Sequence, residues 1–83
     1  MSRHELLIIL AHAQFCDGCR QRLLADPASV FLGRLLTEEE KETLARLCAD
    51  DFLTPERLGH AADTTPAELD QYRDHPVARL RHL

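Results

Sequence analysis

Apolar residues recur along this chain at the three- and four-residue spacings of α-helices, and no stretch alternates apolar and polar positions as a β-strand does. The longest apolar run covers residues 6–11 and follows Ser2-Arg-His-Glu5, in which the two end residues can cap a helix reciprocally. We therefore expect a first helix that extends from this cap to about Ala13 or Phe15.

The predicted first helix is apolar on almost every side, and such a helix requires burial on more than one side. Two arrangements meet this requirement. The helix is either central and surrounded by the other helices, or it contacts a partner protein or a second copy of the chain. In the second arrangement the contact residues would be Leu6, Leu7, Ile9 and Leu10.

Helix caps, prolines and glycines divide the rest of the chain into short helices. Asp17-Gly18 predicts a turn, Asp26 predicts the cap of a helix that stops near Gly33, and Thr37 predicts a capping box. Two later Thr-Pro pairs predict two further helix starts. The further helices are expected over residues 19–25, 27–33, 38–49, 55–62 and 66–73, and residues 77–82 close the chain with one or two turns.

These elements predict an all-α fold, a single small bundle of five or six short helices that spans residues 1–83. Residues 12–19 would form the hinge between the first two helices, and residues 54–74 would contain a C-terminal pair of short helices. A chain of 83 residues buries only a modest core, so a bound metal, a disulfide or a partner would add to its stability.

Charge and the length of the apolar runs narrow the classes of partner. The formal net charge is -4, which argues against a nucleic-acid partner. The exception is the segment 75–83, which carries Arg79 and Arg81 and no acid, although a basic end also suits a helix C-terminus. We find neither a secretory signal nor an apolar run long enough to cross a membrane, which predicts a cytoplasmic protein with reduced thiols.

The residues with distinctive chemistry are concentrated in His12-Ala-Gln-Phe-Cys16-Asp-Gly-Cys19, which has the spacing His-x3-Cys-x2-Cys. Whether this segment is one helix or a helix followed by a turn, the three side chains converge on one point. Imidazole and thiolate ligands suit zinc, which prefers four ligands in structural sites. We predict a zinc site at His12, Cys16 and Cys19, with a metal-free thiol–disulfide switch of the two cysteines as the alternative.

The fourth zinc ligand is left open by the sequence. Cys48 would reach the site if the fourth predicted helix packs against the turn, but a single Cys on an apolar stripe also suits a core position. His60 or a water molecule are further candidates, whereas His4 lies about 12 Å from His12 along a continuous helix and is excluded. No Glu lies beside His12 as in hydrolytic zinc motifs, so we expect a site that is not catalytic.

The segment from His12 to Leu23, with Arg20 directly after Cys19, resembles the motif of zinc-binding anti-sigma domains. The resemblance implies a short helical bundle that holds a sigma factor against hydrophobic helices, with a metal that pins helices together. In some members of that family, thiol oxidation releases the partner. For this chain the resemblance implies zinc-ligand roles for His12, Cys16 and Cys19.

Two weaker patterns indicate other classes of function. Residues 22–27 and 36–44 are similar to helical leader regions of ribosomal peptide precursors, which dock modifying enzymes. The two Thr-Pro helices have the rhythm of a helix-turn-helix, but the second would present Glu68, Asp70 and Asp74 to DNA phosphates.

Together these patterns predict a metal-stabilised regulatory module that is not an enzyme and that binds another protein in an anti-sigma-like role in transcription. Its partner would be a sigma factor or a second copy of the chain. The alternatives are a helix-turn-helix-like DNA-binding regulator, a thiol redox switch, and a leader-like docking domain for a peptide-modifying enzyme.

Overall fold

The computed structural model describes residues 3–73, and in this part of the chain every regular element is a helix. The predicted cap at Ser2 and the predicted helix 77–82 lie outside the described residues. The predicted all-α bundle is confirmed. The elements are α1 (Arg3–Phe15), α2 (Asp17–Ala25), α3 (Pro27–Phe31), α4 (Glu38–Ala45), a 3₁₀ helix (Ala49–Phe52), α5 (Pro55–Ala62) and α6 (Pro66–Arg73).

Helix α1 is the centre of the bundle, with α6 and α2 packed against it. Most of its apolar side chains share one core with Leu23 of α2, Leu58 of α5 and Leu69 of α6, while Ile8 and Ala11 form a second buried cluster beside Tyr72. Of the two arrangements that the sequence allowed for this helix, the structure therefore shows the central one. The four predicted partner-contact residues are between 0% and 6% exposed; they are Leu6, Leu7, Ile9 and Leu10. Their role in partner binding stays a prediction, and it would require the bundle to open.

The hinge between α1 and α2 is shorter than expected, because α2 begins at Asp17 rather than at Cys19. Cys16 alone separates the two helices, with an extended conformation (φ -117°, ψ 102°) that ends α1. The predicted turn Asp17-Gly18 instead forms the first turn of α2. An acidic residue is favourable there because it faces the positive end of the helix dipole.

Helix α4 ends at Ala45, four residues before the predicted end. The reason is Cys48, whose extended conformation (φ -130°, ψ 171°) starts the 3₁₀ helix instead. The backbone N–H of Cys48 donates a hydrogen bond of 2.9 Å to the carboxylate of Asp51. This local capping interaction competes with continuation of α4.

Apart from α2, which begins two residues early, the predicted starts of α3, α4, α5 and α6 are confirmed. Thr37 and Glu40 form the reciprocal capping box, and Thr54 caps α5 by accepting a hydrogen bond from the backbone N–H of Arg57. At the predicted cap Asp26, by contrast, the side chain makes no capping hydrogen bond. None of the helices in the described part of the chain has the length and apolar character needed to cross a membrane.

The C-terminal helix pair has the predicted bounds, Pro55–Ala62 and Pro66–Arg73. Between them Asp63 adopts the left-handed conformation (φ 55°), and the N–H of Thr64 donates to the carbonyl of Gly59 at 2.8 Å. The chain returns so closely over α5 that a Cβ on Gly59 would lie 2.7 Å from the carbonyl oxygen of Thr64. Glycine at this position therefore permits the tight turn between the two helices.

Candidate metal centre

The three predicted zinc ligands lie at the junction of α1 and α2. His12 is in the last turn of α1, Cys16 is the single residue between the helices, and Cys19 is in the first turn of α2. The N–H of Cys16 still donates to the carbonyl of His12 at 3.1 Å, so the helical path continues up to the cysteine before the chain turns. This path places both thiols on the side of α1 that carries the imidazole.

The ligand atoms of His12, Cys16 and Cys19 all lie within 4.8 Å of one another. Nε2 of His12 and Sγ of Cys19 lie 3.1 Å apart. A tetrahedral zinc ion with bonds of about 2.0 Å to nitrogen and about 2.3 Å to sulfur would hold N and S about 3.5 Å apart and two sulfurs about 3.8 Å apart. The His12–Cys19 pair would therefore separate by only about 0.4 Å on binding zinc, and the other two pairs, within 4.8 Å, would move closer by at most about 1.3 Å.

Burial and donor chemistry also suit a metal ion. His12 is 1% exposed and Cys19 is 5% exposed, whereas Cys16 is half-buried. The ring of Phe15 meets the imidazole edge to face, with centroids 5.2 Å apart. The group consists of one nitrogen and two sulfur donors without a carboxylate, and this soft set favours zinc-type ions over magnesium or calcium. The cluster could hold a metal ion.

The environment of Cys16 favours its thiolate form. The pKa of Cys16 lies below its usual value of 9.0, chiefly because the side chain of Cys19 donates a hydrogen bond to it. The backbone N–H of Cys19 acts in the same direction, followed by smaller effects of the Gly18 N–H and the positive charge of Arg20; burial opposes them, with an effect smaller than those of Cys19 but larger than those of Gly18 and Arg20. Because the thiolate is the form that binds metals, this environment prepares Cys16 as a ligand.

Arg20 links the start of α2 to the end of α1, a role that the sequence did not indicate. Its guanidinium donates to the carbonyl oxygens of Ala13 and Gln14, each at 3.3 Å, and also pairs with Asp17. The last carbonyls of a helix lack partners within that helix, so an arginine from the next helix can satisfy them. The detectable signal was the position of Arg20, five residues beyond the end of α1 and next to a predicted ligand.

The other candidate ligands do not belong to the converging group. Cys48 is exposed, with its Sγ 3.5 Å from the carboxylate of Asp51, and His60 is exposed on α5. The expectation of a buried core position for Cys48 is wrong, because α4 ends before reaching it. His4, which the sequence excluded, hydrogen-bonds through Nδ1 to the hydroxyl of Tyr72 at 2.7 Å. Within the described residues, the converging group offers three ligands from the chain itself.

Comparison of the chain with protein-family models, with curated proteins and with solved structures gives no match.

Proposed function

We propose that the protein is a zinc-stabilised regulatory module that binds another protein. The observation that supports this proposal is the convergence of the His12, Cys16 and Cys19 ligand atoms within 4.8 Å at the junction of α1 and α2. Zinc would supply a crosslink between the two helices and, as a bound ligand of the folded state, would contribute to folding stability.

A crosslink at this position would act on the central helix of the bundle. Helix α1 carries the residues predicted to contact a partner, and all of them are buried between α2 and α6. A metal that ties α1 to α2 would therefore control how readily the bundle opens and exposes this apolar surface. This is a physical route by which a metal site could regulate protein binding.

The partner we propose is a sigma factor, in an anti-sigma-like role in cytoplasmic transcription control. The support is the resemblance of the segment from His12 to Leu23 to zinc-binding anti-sigma domains. The structure adds physical reasons for two further residues of that segment, since Arg20 caps the end of α1 and Leu23 is fully buried in the core.

Metal analysis tests the zinc proposal. Protein purified without added zinc should contain about one equivalent per chain, and Cys16→Ser or Cys19→Ser should reduce this content severely. Cys48→Ser is the matched control: it also removes a thiol, but one outside the converging group, so it should leave the zinc content unchanged. Absence of metal together with full thiol reactivity would contradict the proposal, and a reversible Cys16–Cys19 disulfide in that protein would favour the redox alternative.

Binding to purified sigma factors tests the partner separately. Zinc-loaded protein and protein stripped with a chelator should differ in their affinity for the sigma factor, because the zinc crosslink changes the free energy needed to open the bundle. If zinc is present and no sigma factor binds in either state, the result would contradict the anti-sigma role but would still support the metal site.

A further inference from the structure

The link between α3 and α4 exposes two leucines in a protein with a small core. Leu32 is 78% exposed and Leu35 is 79% exposed, whereas their neighbours Phe31 and Leu36 pack against the core. Single exposed leucines are common at protein surfaces. Here two large apolar side chains are exposed within four residues, on a link whose other apolar side chains are packed inward.

The link is held in this conformation by its own contacts. Gly33 has a positive φ of 74°, which turns the chain between the two leucines. The side chain of Arg34 is only 4% exposed; its guanidinium lies 3.3 Å from the carboxylate of Glu5 on α1 and donates through Nε to the carbonyl of Val30 at 2.9 Å. Because Arg34 is anchored to the bundle, the leucines on either side of it are held outward and need little ordering on binding.

An acidic helix turn follows the apolar link directly. Glu38, Glu39 and Glu42 are exposed on α4, and the first of them is three residues beyond Leu35, which places the two Cα atoms no more than about 11 Å apart. The capping box of Thr37 and Glu40 fixes the first turn of this helix. Lys41 pairs with Glu38 at 3.4 Å. Because the segment 38–42 contains four glutamates and one lysine, it still carries a net negative charge.

The negative charge of the segment 38–42 determines which kinds of molecule could bind beside the exposed leucines. A second copy of the chain placed symmetrically on this surface would bring the two acidic turns together, which is unfavourable. Nucleic acids and anionic membranes carry the same sign of charge and are repelled as well. A segment with apolar side chains flanked by Lys or Arg complements both features of the surface.

We propose that Leu32, Leu35 and the exposed glutamates of α4 form a docking surface for a basic amphipathic segment of a partner protein. This inference deepens the proposed function and rests on it only in that the partner is a protein. The surface is available in the closed bundle, unlike the buried face of α1. It would give a partner a first point of contact before any opening of the core.

The test uses a synthetic amphipathic peptide of alternating leucine and lysine turns, titrated into the zinc-loaded full-length protein at low salt and followed by backbone NMR shifts. We expect a dissociation constant on the order of 100 µM and shifts centred on residues 32–42. Leu32→Ser with Leu35→Ser should weaken binding about tenfold, and Glu39→Gln with Glu42→Gln should weaken it several-fold and reduce its dependence on salt.

The matched controls are Leu53→Ser and Glu56→Gln, which remove an exposed leucine and an exposed acid from the other side of the 3₁₀ helix. They should leave the affinity unchanged. Equal weakening by these controls, or no weakening by the paired leucine variant, would overturn the proposal. Concentration-dependent dimerisation that is lost in the leucine variant would overturn it too, in favour of a second copy. Zinc content should be measured on every variant. A variant that retains its zinc and binds the peptide weakly reports on the docking surface and not on loss of the metal site.

Discussion

Nε2 of His12 and Sγ of Cys19 lie 3.1 Å apart although seven residues separate them, and both side chains are buried. This contact joins the last turn of α1 to the first turn of α2 even without a metal. We therefore expect His12→Ala to have two effects. It should lower zinc affinity by at least about tenfold, because one ligand is lost, and it should destabilise the metal-free protein by about 2 kcal/mol through the cavity and the loss of the contact between His12 and Cys19.

Zinc titration with a competing chelator measures the first effect of His12→Ala, and urea unfolding in the presence of EDTA measures the second. His60→Ala is the matched control, since it removes an exposed imidazole outside the converging group. It should change neither quantity. A His12→Ala protein with the zinc affinity of the unmodified chain would exclude His12 as a ligand.

The reactivity of Cys16 in metal-free protein should show a distinctive pH dependence. Its pKa is lowered, so the thiolate forms at lower pH than in an ordinary cysteine. The rate of alkylation by iodoacetamide should rise with pH and reach half its maximum at a lower pH than for a cysteine in an unstructured peptide measured in the same buffer. Cys19→Ala should move this midpoint upward, because the hydrogen bond from Cys19 is the largest cause of the shift.

Mass spectrometry of peptides after timed alkylation measures the reaction at Cys16 without interference from Cys48. Gln21→Ala, an exposed change on the same helix, should leave the midpoint where it is. An unchanged midpoint in Cys19→Ala would show that the neighbouring thiol does not stabilise the thiolate.

The ion pair between Glu5 and Arg34 should contribute measurably to stability. Its atoms are 3.3 Å apart, and the side chains are 20% and 4% exposed, so solvent screens the pair less than a surface pair. Glu5→Gln and Arg34→Met should each cost about 1–3 kcal/mol in the free energy of unfolding. The double variant should lose about 1 kcal/mol less than the sum of the two single losses, because the ion pair can be removed only once.

Urea unfolding of the four proteins in this cycle gives the coupling energy between Glu5 and Arg34. Glu38→Gln with Lys41→Met provides a comparison pair, since Glu38 is 87% exposed and little coupling is expected there. Equal coupling in the two cycles would show that burial does not strengthen the Glu5–Arg34 pair.

Local patterns in the sequence predicted the parts of the fold that local interactions determine. The bounds of α5 and α6 were correct because each helix begins with a threonine cap followed by proline, and these signals act within one turn. The convergence of His12, Cys16 and Cys19 was predictable for the same reason, since a single helix and a helix followed by a turn both bring these three side chains to one point; the structure shows the second geometry.

The parts that the sequence did not predict depend on competing or long-range contacts. The end of α4 depends on Cys48, which caps the 3₁₀ helix together with Asp51. Such a cap position is usually occupied by Ser, Thr, Asp or Asn. Whether the chain itself covers α1 depends on where α6 packs. The buried Leu69 of α6 lies 54 positions after Phe15, the last residue of α1. Neither contact has a signature in the spacing of apolar residues.

Gly59 provides a test of the turn between α5 and α6. Two effects of Gly59→Ala oppose each other. Alanine favours a helix over glycine by about 1 kcal/mol, but its Cβ would lie 2.7 Å from the backbone carbonyl oxygen of Thr64, and backbone atoms cannot move aside cheaply. We expect the steric effect to be the larger one, with a net loss of about 1–2 kcal/mol in the free energy of unfolding.

Gly18→Ala is the matched control for Gly59→Ala, because Gly18 also lies within a helix but a Cβ there has no neighbour within 4 Å. Its free energy of unfolding should be unchanged or raised by up to about 1 kcal/mol, through helix propensity alone. Urea unfolding of both variants, each with its zinc content measured, separates the two effects. If both glycines gain stability on replacement by alanine, the close approach of Thr64 to α5 does not restrict the turn.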